Sequence, residues 1–566
     1  MIKTFILLLA IFTFVFCLFP LKVSAFDPSL PNNKFGIHML DTNTNDSQKA
    51  AELVNSTGGR WGYVTLVIQD NDKNVSKWQD VFNNLRKLHL TPIIRLATHP
   101  DQDNWIRPAT DDADSWVNFL NSLKWVVKDR YIVLFNEPNQ GHEWGGNVDP
   151  QSYTDVVSTF AQKLKDKSKD FFIMLGGLDA SAPSASPAFE DEAVFLRQMI
   201  AAKANLFDNI DGWVSHSYPN PGYVGSPLAS GRNSVRNYDW ELNLLKDLGV
   251  SKDLPVFITE TGWSHNALSD QTVANYTQSA FTNIWLQDGR VRAVTPFVLS
   301  YQAEPFTSFS WKKLGSEDFY PVFSQIKSLP KVGGQPQQIE AGQIIYHFPQ
   351  ELLAESNYHF ILRLTNQGQA IWDKEDSYYI KLEGSNVIKE YFFSDIKGVE
   401  PGKSVDVDFY FKTNNDLNKE AVKLALYKDS KPVLEGDNWK LAILALPSLN
   451  FQVKLFPKLQ SSGDNFEIQV FDDKQELVYK KQGIDVNNGI GNISEIRNIY
   501  LGGKYRIVIL NPYYLPRQGF ITFHKGVNKI IFVPMLPFDL NRNGHLDVGD
   551  IIGLIRNPQQ WVLFLP

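Results

Sequence analysis

From residue 35 to about 329, short uninterrupted apolar runs alternate with stretches whose apolar positions recur every three or four residues. The runs at 35–39, 60–67, 92–96, 131–135, 171–175, 212–216, 255–259 and 293–299 read as buried strands. The helical period falls between them, at 75–89, 115–128, 153–167, 235–248 and 272–287. Eight strands separated by helices match the size of a (β/α)8 TIM barrel. A doubly wound open sheet more often has fewer strands, and no glycine-rich dinucleotide fingerprint opens any helix here.

After the segment 331–336 the helical period vanishes. Short alternating runs at 344–348, 358–365, 378–383, 404–411, 421–428 and 439–445 are separated by turn residues, as in a β-sandwich. A second set includes 465–471, 504–510, 519–523 and 529–533. The fold expected is therefore multidomain. A barrel over 26–332 is followed by an immunoglobulin-like β-sandwich over 333–447, a smaller β-sandwich over 448–537 and a short C-terminal segment over 538–560. Neither sandwich carries an evident catalytic constellation, so spacing or carbohydrate binding is the role expected of them.

A chain of 566 residues is too long for one core, which agrees with this division. The net charge of −7, without a long basic run, argues against nucleic acid as the main partner. A short basic start precedes the apolar run 5–19, and Val23-Ser24-Ala25 supplies small residues for cleavage before Phe26. A cleaved signal peptide over 1–25 is expected, and with it a secreted or cell-surface protein with no membrane segment after cleavage. An uncleaved anchor is the alternative. The single cysteine, Cys17, lies in this leader. The mature chain then has no thiol for a disulfide, a cysteine–zinc site or a cysteine nucleophile.

The chemistry concentrates at strand ends. Glu137 closes the run 131–137 and Glu260 closes 255–260. A buried strand that ends in a carboxylate delivers it to the mouth of an α/β fold, the face where chemistry is done. Two glutamates there can divide acid–base and nucleophilic work on a glycosidic bond. Asn136-Glu137-Pro138 follows the fourth strand, His216-Ser217-Tyr218 the sixth, and Glu260-Thr261-Gly262-Trp263 the seventh.

These three elements, in this order, resemble clan A glycoside hydrolases, retaining enzymes on a (β/α)8 scaffold; the resemblance covers about 33–329. It implies Glu137 as acid/base and Glu260 as nucleophile, with Asn136, His216, Tyr218 and Trp263 in the same site. Arg95, ending an apolar run on the third strand, must be paired, and pairing with the nucleophile region is expected. The clan often places an arginine after the second strand, where this chain has Trp61. His38 and Trp61 are candidates for the subsite floor. Trp144, Tyr301 and Trp311, on loops after the fourth and eighth strands, are candidate sugar platforms or packing residues. The expected function is double-displacement cleavage of β-glycosidic bonds in a polysaccharide or oligosaccharide. A non-catalytic carbohydrate-binding protein, or a transglycosylase using the same residues, is the alternative. No cofactor is expected for catalysis: zinc-protease histidine spacing and a Gly-x-Ser-x-Gly elbow are both missing from the sequence.

The tail has its own pattern. Asp539, Asn541, Asn543, Asp547 and Asp550 fall at positions 1, 3, 5, 9 and 12 of a calcium loop of EF-hand type, with Gly544 at the turn and His545 at the backbone-ligand position. With aspartate as the final ligand, the segment resembles a dockerin loop. The resemblance implies a structural Ca2+ and docking to a cohesin-like or cell-surface scaffold. Dockerins usually carry two such loops, and this chain has one.

Overall fold

The structure, a computed structural model, describes residues 29–458 and 461–564. The expected signal segment 1–25, with Cys17, lies outside the described residues. The chain divides into two units, Met1–Ile339 and Glu340–Pro566.

The first unit is an α/β domain with parallel strands. In chain order these are β1 (Gly36–Met39), β2 (Gly62–Gln69), β3 (Leu90–Ala97), β4 (Arg130–Leu134), β5 (Phe171–Leu175), β6 (Trp213–His216), β7 (Val256–Glu260) and β8 (Val291–Val294). The first five pair in sequence as one parallel sheet and the last three as another. Single parallel bridges, Phe35 with Val294 and Met174 with Gly212, join the edges of the two sheets. Near-continuous apolar runs follow from this layout, because helices cover the outer face of each strand; all five residues of β5 are buried.

Each strand is followed by a helix: α1 (Thr44–Val54), α2 (Val75–Lys87), α3 (Ala113–Ser122), α4 (Pro150–Lys167), α5 (Glu192–Ala202), α6 (Asn237–Asp247), α7 (Asp270–Ala280) and α8 (Pro321–Lys327). Three of these, α1, α5 and α8, have no counterpart among the helices read from the sequence. Helix α1 is mostly polar, yet Asn43 caps it by accepting from the Asp46 amide at 2.8 Å, and Ser47, Ala50, Leu53 and Val54 make a narrow buried face. Helix α3 ends at Ser122, where the apolar pattern continues to 128. Side chains of α2 take over the hydrogen bonding there: Arg86 donates to the carbonyls of Lys124 and Trp125, and Gln79 accepts from the Lys124 amide. Trp125, Val126 and Val127 are buried without being helical. The segment 331–336, where the helical period ends, stays with the first unit through Lys331 to Thr57, Gly334 to Arg60 and Lys128 to Gln337 backbone bonds.

The second unit is β-rich. Strands Gly342–Ile345, Asn357–Asn366, Ser404–Thr413 and Ile388–Phe393 form one sheet. Strands Glu351–Leu353, Trp439–Leu444, Lys419–Lys428 and Tyr378–Glu383 form a second. Alternate residues of Asn357–Asn366, Tyr378–Glu383, Ser404–Thr413 and Trp439–Leu444 enter one shared core around Leu364, Trp372, Phe409 and Leu424. An eight-stranded sheet runs from Ser448–Gln452 to Pro537–Asp539 over a separate core. The tail belongs to this last layer: Pro537–Asp539 pairs with Tyr513 and Tyr514, and Phe564 packs on Tyr514 and Phe538. Among the described residues no helix is long and apolar enough to cross a membrane.

Candidate active site

The C-terminal ends of β3 to β7 deliver the site. Past β4 the backbone turns sharply: Phe135 and Glu137 both have positive φ, 70° and 26°. Left-handed backbone at non-glycine residues costs about 1–3 kcal/mol each and gathers at functional sites. The turn is held by the Glu137 amide, which donates to the Gly177 carbonyl at 3.0 Å. At β6 the register with β7 shifts by a bulge, so that His216 stands opposite Glu260 rather than Thr259. Bulges of this kind re-aim side chains. Gly177, after β5, leaves the space that the His216 ring fills; a Cβ there would collide with it.

These turns bring the two glutamates together. One carboxylate oxygen of Glu137, one of Glu260 and a ring nitrogen of His216 all lie within 4.8 Å of one another. Glu260 is fixed on both oxygens: Arg95 Nη1 donates to Oε1 at 2.5 Å, and the Tyr218 hydroxyl donates to Oε2 at 3.1 Å. Arg95 also donates to Asn136 Oδ1 at 2.7 Å, so one guanidinium ties the fourth strand end to the seventh. Glu137 faces His216 Nδ1 at 2.7 Å through Oε1 and accepts from Gln140 Nε2 at 2.7 Å through Oε2.

The two carboxyls sit in opposite fields. Burial pushes Glu137 up to about 7; the hydrogen bond from His216 opposes this, and the charges of Glu260 and Asp179 add to it. Burial also acts to raise Glu260, but the positive field of His216 and Arg95 outweighs it and brings the group down to about 2. His38, fully buried 4.0 Å from Glu260 Oε1, is held neutral by burial, at about 3. Arg95 is therefore the permanent cation at Glu260. The result is one carboxyl protonated near neutral pH beside one that is ionised.

A cleft of about 850 Å³ opens over the pair. Arg95, Asn136, Glu137, Tyr218, Glu260 and Tyr301 all line it. His216 and His38 stand behind the carboxylates, with 2% and 0% exposure, so His38 backs the site rather than flooring it. Three expected residues lie elsewhere. Trp61 precedes β2, at the strand's N-terminal end, and packs edge-on against His89; a residue at that end cannot reach the opposite mouth. Trp263 is buried against Tyr276 and donates to the Gly225 carbonyl at 2.8 Å. Trp311 folds back into the core, its amide on the Val298 carbonyl. Trp144 touches the cleft but is wedged between Phe135 and Tyr153.

Other cleft residues were not singled out from the sequence: Trp105, Gln140, Asp179 and Tyr223. The Gly176-Gly177 pair before Asp179, at the end of a buried strand, is the signal that could have marked it. Asn139, fully buried, joins the loops after β4 and β5. Its side chain donates to the carbonyls of Asp179 and Glu190 and accepts from the Asp179 amide. Backbone bonds from Gly141 to Ala188 and from Val148 to Pro187 continue the seam.

Among the described residues, Glu137, His216 and Glu260 are also the group whose donor atoms converge closely enough for a metal ion. Arg95 already occupies the carboxylate edge that a cation would need, so these residues fit a metal poorly. In the tail loop, Asp550 accepts from the amides of Leu540, Asn541 and Asp547. Asp547 accepts from Gly549 and from the Asn541 and Asn543 side-chain amides. Asp539 accepts from Gly544 through Oδ2, while its buried Oδ1 has no hydrogen-bond partner.

No family model and no curated protein matches this sequence. Among solved structures, the chain is similar to a modular endo-β-1,4-mannanase from Cellulomonas fimi, with 10% identity, a TM-score of 0.33, and 72% of this chain and 94% of that one covered. It is similar to the chitinase ChiW from Paenibacillus sp. str. FPU-7, with 11% identity, a TM-score of 0.28, and 74% and 57% covered. It is similar to a xyloglucanase from Bacteroides ovatus, with 10% identity, a TM-score of 0.30, and 49% and 66% covered. The chain thus spans a little over half the length of the chitinase. Likeness at this level assigns neither a family nor an activity, and the site is read from its own geometry.

Proposed function

We propose that this chain is a secreted retaining glycoside hydrolase, acting on β-glycosidic bonds of a polysaccharide from a closed (β/α)8 barrel. The observation that carries the reading is the pair of glutamates from β4 and β7, with oxygens within 4.8 Å in one cleft and opposite protonation preferences. Retaining chemistry needs carboxyl groups about 5–5.5 Å apart. Glu260, ionised and aimed by Arg95 and Tyr218, attacks the anomeric carbon. As the glycosidic C–O bond breaks, Glu137 gives its proton to the leaving oxygen. The ester that forms removes the charge of Glu260, which lets Glu137 ionise and take a proton from the attacking water. The second displacement inverts the anomeric carbon again, frees Glu260 and restores the starting configuration. Asn136, held by Arg95, is placed for the sugar 2-hydroxyl. This chemistry requires no cofactor.

The test is Glu260→Ala assayed on chromogenic β-glycosides with and without azide. Loss of turnover, recovered by azide as an α-glycosyl azide, is expected. Unchanged activity in that variant overturns the nucleophile assignment.

For the tail we propose a structural Ca2+ held by Asp539, Asn541, Asn543, Asp547 and Asp550. The orphaned buried oxygen of Asp539 supports this, and so does the hard-oxygen donor set. A bound cation would supply the charge that these side chains now find in amide hydrogens.

A further inference from the structure

Gln140 reaches from the loop after β4 across to a third carboxylate in the cleft. Its Nε2 donates to Glu137 Oε2 at 2.7 Å and to Asp179 Oδ2 at 3.1 Å. Asp179 is fixed in turn: its Oδ1 accepts from the Ser181 amide at 2.8 Å and the Ser181 hydroxyl at 2.7 Å, and its own amide donates to Asn139 Oδ1 at 3.0 Å. Glutamine can present either end of its amide, and only its partners decide which. We propose that Asp179 is a positioning residue: by accepting from Gln140, it keeps that amide turned so that Glu137 meets only a donor. The proposal rests on Glu137 being the acid of the reaction above.

The consequence lies in where the acidic proton can go. A protonated Glu137 is itself a donor. Were Gln140 to flip, its carbonyl would accept that proton in a neutral hydrogen bond, and the acid would point away from the leaving oxygen. A flipped amide would also set its carbonyl against the Asp179 carboxylate, two acceptors with no hydrogen between them. Asp179 thereby excludes the competing arrangement. With His216 donating to Oε1 and Gln140 to Oε2, the Glu137 proton is left with the glycosidic oxygen as its acceptor. Asparagine at 179 would remove the exclusion, since its own NH2 can face a flipped carbonyl.

The effect should appear only where protonation matters. Glycosides with strongly acidic phenols leave unaided, whereas those with weakly acidic phenols or sugar leaving groups need the proton. For Asp179→Asn, glycosylation of the second kind is expected to fall about tenfold, the size of one hydrogen bond gained by the wrong state, and that of the first kind to stay unchanged. In Gln140→Leu the competing acceptor is gone, so adding Asp179→Asn to it should change nothing further. Ser181→Ala, which loosens Asp179 without altering its charge, should not produce the leaving-group split. Glu137→Ala serves as the reference and must show a much larger split. Equal losses on both kinds of substrate in Asp179→Asn, or full additivity with Gln140→Leu, overturn the proposal while the acid role stands. The absence of a split in Glu137→Ala overturns the acid role itself.

Discussion

Removing the Arg95 guanidinium tests the electrostatic basis of the site. Its Nη1 lies 2.5 Å from Glu260 Oε1, with 13% and 11% of the two side chains exposed, so solvent screens the pair little. The field of His216 and Arg95 holds Glu260 at about 2 against an ordinary 4.5, which favours its ionised form by about 3 kcal/mol. Arg95→Met keeps much of the side-chain length and removes the charge, leaving the field of His216 to oppose burial without Arg95, so the Glu260 pKa rises. Breaking one partner out of a buried pair costs about 3–5 kcal/mol, and an aiming loss of about 3 kcal/mol lowers kcat/KM about a hundredfold. The assay is the pH profile of kcat/KM. In the parent protein Glu260 must be ionised and Glu137 protonated, so activity should hold between about 2 and about 7 and decline above the latter. In the variant the acid limb should move up, by the share of the depression that Arg95 and not His216 supplies. Stability follows the same sign. The depressed Glu260 stabilises the parent fold above its unfolded pKa and loses that contribution as pH falls through about 2. The variant should keep less of this gain at neutral pH. An acid limb left in place at full kcat refutes the assignment of Arg95 as the cation that holds the nucleophile ionised.

Tyr218→Phe deletes the 3.1 Å bond to Glu260 Oε2, and kcat should fall roughly tenfold with KM little changed, as measured by steady-state kinetics. Trp61→Ala should lower unfolding stability by about 3–5 kcal/mol in denaturant titration while leaving KM unchanged, because this side chain packs far from the mouth. Chelation of a calcium-loaded sample should lower the melting temperature of the second unit, and added Ca2+ should restore it; Asp547→Ala should abolish the difference. Cleavage of a small soluble substrate should be indifferent to that calcium.

The two cleft carboxylates were legible because they end apolar strands, and the direction of a parallel strand decides which mouth its last side chain meets. The same rule read carefully also disposes of Trp61, which begins a strand instead of ending one. Helices α1, α5 and α8 escaped because their packing is carried by narrow faces on short elements, too brief for the period to stand out. Gln140 and Asp179 have no motif of their own: their relation to Glu137 exists only once two loops lie side by side. The tryptophans were the least readable, since a ring that could stack on a sugar and one that fills the gap behind a strand look alike in sequence. Trp144 does the second while standing at the edge of the first.

Asn139 has an implication for engineering. Because this one buried side chain sews the segment after β4 to the segment after β5, the two should not transplant as independent parts. A chimera that imports one from another protein should misfold locally. A cassette that carries both together, seam included, should inherit the donor's selectivity intact.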